Sequence, residues 1–167
     1  MRPTIKVFVS YSSYDRDALV EASDVPTPLL RRLRALESEG FQIIWDKNDG
    51  ELSSGLVAGD DFQRVIGDWI DEAGILIFLL TQDSLNSREC CKEVLRFRRR
   101  CATNALLKIV PFCLRVCEYK RVSWLKVLEI LPSPTRPYAR LSPAEQDREL
   151  LRLVSHIRGI GARMRGK

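Results

Sequence analysis

Glu89 and Glu93 stand four residues apart in S-R-E-C-C-K-E (87–93), with the thiols of Cys90 and Cys91 between them. A carboxylate in a partly apolar cleft can stabilise developing positive charge or accept from a sugar hydroxyl, which is the chemistry of glycosidic cleavage. The same residues also suit an ordinary helix start, with Glu89 as a first-turn acid favoured by the helix dipole. Asp15, Asp46, Asp60 and Asp61 join the pair if the fold brings the relevant loops to one edge. Other chemistries find less support. His156 is the only histidine and lies far along the chain from those loops, so a histidine-based triad is not expected. Neither Gly-rich phosphate-loop fingerprint is present. Cys113 and Cys117 are spaced C-x3-C, but no second Cys/His pair completes a zinc site, and reduced thiols are expected.

Hydropathy and punctuation set the scaffold for these residues. I-K-V-F-V-S (5–10) reads as a buried strand that stops at the polar Y-S-S-Y-D, where Ser12, Ser13 or Asp15 can cap the next helix. That helix is expected over much of 16–39. It breaks near Pro26 and Pro28, restarts through L-L-R-R-L-R-A-L and ends at Gly40. F-Q-I-I-W (41–45) is a second strand, and the polar segment 46–59, with three glycines, is a candidate functional loop. Helix is expected at 60–73, a continuously apolar central strand at 75–80, helix at 87–101 and strand at 106–114. A short helix is expected at 124–131, an edge strand near Tyr138, and a helix at 142–158 with Ser142, Pro143 and Glu145 at its start. This alternation predicts a flavodoxin-like α/β domain, a parallel sheet of about five strands with helices on both faces. Ligands of such sheets bind beyond the C-terminal strand ends, where the 87–93 motif also falls.

Composition bounds the class. The chain has 167 residues, 45% hydrophobic and 29% charged. A chain of this size buries about 70% of its unfolded surface and folds without disulfides or metal. No apolar run approaches the ~18 residues of a membrane span, and 1–7 lacks a signal peptide's apolar core. A cytoplasmic protein is therefore expected, with no membrane partner. The net charge of +5 is concentrated in 31–34, 97–100 and the C-terminal residues, without interleaved aromatics. No nucleic-acid partner is expected. A domain over 1–158 is expected, with a basic tail at 159–167 that suits a linker to a further domain.

Four segments in order resemble the Toll/interleukin-1 receptor (TIR) domain of bacterial type. V-F-V-S-Y-S-S-Y-D (7–15) is similar to that family's first strand and loop, and F-Q-I-I-W-D (41–46) to its second strand and acidic end. L-V-A-G-D-D-F-Q-R-V-I (56–66) and I-L-I-F-L-L-T-Q-D-S-L-N-S-R-E-C-C-K-E-V (75–94) complete the likeness. The resemblance implies a flavodoxin-like fold. It also implies an NAD+ glycohydrolase or cyclase that cleaves the nicotinamide–ribose bond when self-assembled, in signalling or defence. It places Glu93 as the catalytic carboxylate, with Ser87 and Cys90 in the S-x-x-C-x-x-E segment. It implies NAD+ as substrate, no cofactor or metal, and other TIR domains as partners in a dimer or filament. Ser10, Tyr11, Ser12, Trp45, Asp46, Leu56, Gly59, Ser87 and Cys90 are the substrate-binding candidates, and Phe8 is a further wall for a ring. Two departures stand out: Glu89 occupies a place where many such enzymes carry an aromatic, and the 46–59 loop is long. A non-catalytic TIR scaffold acting by homotypic association is the rival reading, and an enzyme processing nucleosides on the same fold is a third.

Overall fold

The computed structural model describes residues 3–22, 25–45 and 60–166, apart from the side chains of 60–62. Four parallel strands form one sheet: β1 (Ile5–Ser10), β2 (Phe41–Trp45), β3 (Ile75–Leu80) and β4 (Lys108–Cys113), in the order β2-β1-β3-β4. Parallel strands need crossovers, and five α-helices are described: α1 (Pro28–Ala35), α2 (Asp60–Glu72), α3 (Gln82–Asn86), α4 (Arg88–Cys101) and α5 (Pro143–Met164). The position of β3 explains its unbroken apolar run. Ile75, Ile77 and Leu79 enter the core shared with α1 and α5, while Leu76, Phe78 and Leu80 enter the core shared with α2 and α4. A strand alternates its side chains, so only a strand covered on both faces is apolar at every position.

Local signals place the helix starts. Thr27 caps α1, accepting from Leu30 N at 3.4 Å, with Pro28 as the first helical residue. Thr81 and Ser84 form a reciprocal capping box at α3, and Ser142 and Glu145 form another at α5. Gly40 ends the α1 region in the left-handed conformation at φ 85°, which an L side chain adopts only at a cost.

Several expectations change. The region expected as one broken helix over 16–39 is a 3-10 turn at Ser13–Ala18, then α1, then a second 3-10 turn at Leu36–Glu39. The helix expected at 124–131 is a 3-10 turn over Ser123–Val127. The edge strand expected near Tyr138 is a 3-10 turn at Tyr138–Arg140, because the place beside β4 is already taken. Leu131 occupies it through a single parallel bridge to Phe112, donating to Pro111 O at 3.1 Å and accepting from Cys113 N at 2.8 Å. This also shows why Pro111 is tolerated: its missing N–H falls on the outer edge of the sheet. The fifth-strand position is thus a bridge rather than a strand. Helix α5 continues beyond Arg158 to Met164, with Ile160 and Gly161 buried, so residues 159–164 of the expected tail are helix packed on the domain. No described helix is long and apolar enough to cross a membrane.

Candidate functional site

Ser10 is the last residue of β1 and faces the α2/α4 side, continuing the direction of buried Phe8. It donates its hydroxyl to Glu93 Oε2 at 2.5 Å. The partner arrives on α4, which starts where Ser87 caps it by accepting from Cys90 N at 3.2 Å. From that start, Cys90, Val94 and Phe97 fall on the buried face. Glu93, three residues after Cys90, lies at the border of this face and is half-buried. The Cys90 thiol is 1% exposed, and its surroundings include the Ser87 and Ser10 hydroxyls and the Glu93 carboxylate. Burial pushes its pKa up to about 12, the Glu93 charge adds to the rise, and the two hydroxyls only partly offset it. Cys90 is therefore a protonated thiol at neutral pH and no nucleophile. What the cluster offers is a carboxylate oriented by a serine, beyond the C-terminal end of a central strand. That arrangement can stabilise positive charge on a sugar carbon placed against it.

A second polar network ties the strand ends together. Asp15 is completely buried; it accepts from the Thr81 hydroxyl and is met by Arg115 Nη1 at 3.3 Å. Arg115 also reaches Asp17 at 3.3 Å. Burial raises the Asp15 pKa; the Thr81 hydrogen bond and Arg115 pull it down, and the charges of Asp83 and Asp17 push it up. The loop after β1, the end of β3 and the residues after β4 are held by one carboxylate. Sequence reasoning names Asp15 among the gathering carboxylates but misses Thr81 and Arg115 as its partners. An arginine two residues after a strand, at an edge rich in acids, is the available signal.

The remaining candidates divide by position. Ser10, Ser87, Cys90 and Glu93 come together. Tyr11 and Trp45, at the ends of β1 and β2, are half-buried and pack on the core of the α1/α5 side. Ser12 is buried, and its hydroxyl accepts from Tyr14 N at 3.3 Å as the cap of the 3-10 turn at Ser13–Ala18. Phe8 is 1% exposed inside the core, which removes it as a wall for a ligand ring. Asp46, Leu56 and Gly59 lie outside the described residues, as do the side chains of Asp60 and Asp61. Glu89 is exposed on the first turn of α4. Among the described residues, no group of three or more His, Cys, Asp or Glu side chains is arranged to hold a metal ion. Clefts of about 280 and 430 Å3 open between α5 and the 128–134 segment, sharing Glu129, Leu131 and Arg152, and neither is lined by any site candidate.

A parallel sheet of this order, with its polar cluster beyond the C-terminal strand ends, defines a flavodoxin-like class of α/β domain. The model of the TIR domain family matches residues 7–154, and the chain belongs to that family. It is similar in structure to the TIR domain of the Toll-related receptor TRR-2 from Hydra magnipapillata, with 18% identity and a TM-score of 0.55 over 92% of this chain and 96% of that one. It is also similar to the TIR domains of the activated Roq1 resistosome, which directly recognises the pathogen effector XopQ. That likeness has 11% identity and a TM-score of 0.59, over 92% of this chain and 99% of that one. At these identities the likeness carries the fold. A search of curated protein sequences finds no match.

Proposed function

We propose that this TIR domain cleaves the nicotinamide–ribose bond of NAD+ when self-assembled, with Glu93 as the catalytic carboxylate. The observation that carries the reading is the Ser10–Glu93 hydrogen bond, which fixes one carboxylate oxygen at the strand edge where this class of sheet binds ligands. The chemistry asks little else of the protein. Nicotinamide departs as a neutral leaving group as the C–N bond breaks, and the ribose carbon becomes oxocarbenium-like. A carboxylate held against that carbon stabilises the charge until water adds, giving ADP-ribose, or until the adenine ring closes on it, giving a cyclic product. Ser87 and Cys90 lie beside the carboxylate, with Cys90 as a small buried neighbour rather than a reactant. In this proposal Tyr11, Ser12 and Trp45 border the site, and Asp46, Leu56 and Gly59 contribute from the 46–59 segment. Homotypic TIR partners complete the assembled form, which acts in cytoplasmic signalling or defence.

The test is nicotinamide release from NAD+ across a protein-concentration series, wild type beside Glu93→Ala. Release that rises more steeply than linearly and is lost in the variant supports the proposal. Release that survives in the variant moves the chemistry to another carboxylate, Glu89 first. Absence of release under every assembling condition favours a scaffold acting by homotypic association. Exposed Glu89, in a place where the resemblance leads one to expect an aromatic, is the observation on that side.

A further inference from the structure

The basic run R-F-R-R-R (96–100) takes no part in the NAD+ reading, yet three of its arginines find partners inside the domain. Arg96 Nε donates to Asp71 Oδ1 at 2.8 Å while its Nη2 donates to Oδ2, a two-pronged bond from α4 to the last turn of α2. The guanidinium lies against Gly67, where an added Cβ would come within 2.6 Å of Nη1. Arg100 Nη1 donates to Ile70 O at 2.5 Å and to Ala73 O at 2.7 Å, at the end of α2 where carbonyls run out of helical partners. Arg98 turns elsewhere, its guanidinium 4.8 Å from the centre of the Trp124 ring, which stacks on Phe78 of β3 with centroids 6.4 Å apart. Arg99 is exposed. Beneath these contacts Val94 and Phe97 of α4 share one core with Ile66, Ile70 and Ala73.

We propose that Arg96 and Arg100 are positioning residues for nicotinamide release, holding α4 at the axial height that sets Glu93 against Ser10. The inference rests on Glu93 as the catalytic carboxylate. Glu93 lies three residues before Arg96 and seven before Arg100, so about one and two turns of a single helix connect the carboxylate to these arginines. The apolar seam between α2 and α4 is non-directional, and packed helices can slide past one another by small amounts. A planar guanidinium that holds a carboxylate by two parallel bonds fixes distance and angle together. Arg100, bonded to two backbone carbonyls, refers α4 to the main chain of α2, which leads through Ala73 and Gly74 into β3. Strand β3 pairs with β1, where Ser10 stands opposite Phe78. Both ends of the Ser10–Glu93 bond are thus referred to the same sheet. An exposed ion pair such as Arg96–Asp71 adds little to stability. Its consequence for rate is larger, because a displacement of about 1 Å can cost about 100-fold.

The test joins a binding-free readout to a kinetic one. The coupling between Ser10 and Glu93 is measured by urea unfolding of Ser10→Ala, Glu93→Gln and the double variant. The cycle is run in wild type and in Arg96→Lys, Arg100→Met and Arg99→Met backgrounds. Lysine at 96 keeps the charge without the planar fork, and methionine at 100 keeps an apolar stem without the donors. Nicotinamide release is followed in wild type and the three arginine variants. The coupling should be favourable in wild type and Arg99→Met. In Arg96→Lys and Arg100→Met it should fall by about half or more, and kcat should drop about 10-fold or more at nearly unchanged KM. The proposal is overturned if the coupling is absent in wild type, survives in either folded variant, or falls equally in Arg99→Met. Wild type that releases no nicotinamide sinks the NAD+ reading instead. The unfolding cycles need no activity and still decide whether these arginines set the position of Glu93. Arg96 is exposed, so Arg96→Lys decides the matter even if Arg100→Met fails to fold.

Discussion

Ser10 and Glu93 lie 83 positions apart in the chain and 2.5 Å apart in the fold. The contact joins the last residue of a central strand to the second turn of the helix that packs over it, so it is set by how α4 lies on β1. A hydrogen bond to a charged group is worth about 1.5–3 kcal/mol. If Glu93 stabilises the ribosyl cation, Ser10→Ala should lower kcat for nicotinamide release about 10-fold or more. KM should change little, because Ser10 orients the carboxylate rather than holding substrate. Glu93→Gln should remove activity while leaving the thermal transition close to wild type. Steady-state kinetics on the two variants checks both; a KM effect at unchanged kcat would make Ser10 a binding residue instead.

Asp15 has a folded-state pKa above its ordinary value of 3.8, with burial as the largest cause. A group raised in this way contributes stability that is fully present below the unfolded value and is lost as pH rises through the folded one. The stability of wild type relative to Asp15→Asn should therefore fall as pH is raised through the carboxylate range. Urea unfolding of both proteins at a series of pH values measures this. A rising difference would mean that Thr81 and Arg115 outweigh burial.

Glu145 shows the opposite sign. Its carboxylate accepts from Ser142 N at 2.9 Å and pairs with Arg136 at 2.8 Å, and the backbone bond is the main reason its pKa drops to about 2. Its contribution is present above the ordinary value of 4.5 and is lost as pH falls through about 2. Thermal unfolding of Glu145→Gln and wild type should converge over that window and differ above it. Ser142→Ala, which removes the other half of the box, should cost about 1 kcal/mol at neutral pH.

Gly161 tests packing against propensity. Alanine in a helix interior is favoured over glycine by about 1 kcal/mol. A Cβ at Gly161, however, would meet Phe41 Cζ at 2.5 Å and Cε1 at 2.9 Å, with Ile5 Cδ1 at 3.3 Å. Phe41 is itself buried at the start of β2, and overpacking of this kind costs about 1–3 kcal/mol. Gly161→Ala should be destabilising by chemical denaturation, while Gly159→Ala, whose nearest neighbour is the end of Arg163 at 3.8 Å, should be neutral or stabilising.

One-dimensional signals suffice for the parallel sheet and for the starts of α2, α4 and α5, whereas the short α3, capped by Thr81, is not among the expected helices. The all-apolar run 75–80 fits a strand covered on both faces, and Thr27-Pro28, Ser87 and Ser142-Pro143 mark helix starts through bonds that span three residues. The same locality makes Glu93, Cys90 and Ser87 legible as a group: they lie at the start of one helix within two turns. What joins Ser10 to Glu93, and Thr81 and Arg115 to Asp15, is tertiary. Both depend on strand order and on which face each strand end presents. The differences at 124–131 and Tyr138 have the same origin. Both stretches carry weak local preference, and the edge beside β4 goes to the segment that reaches the open hydrogen-bonding groups of Pro111 and Cys113, which is Leu131. Capping and periodicity act over a few residues, so the elements can be read along the chain. Packing and pairing act between residues far apart in it, so the partners emerge only once the chain is folded.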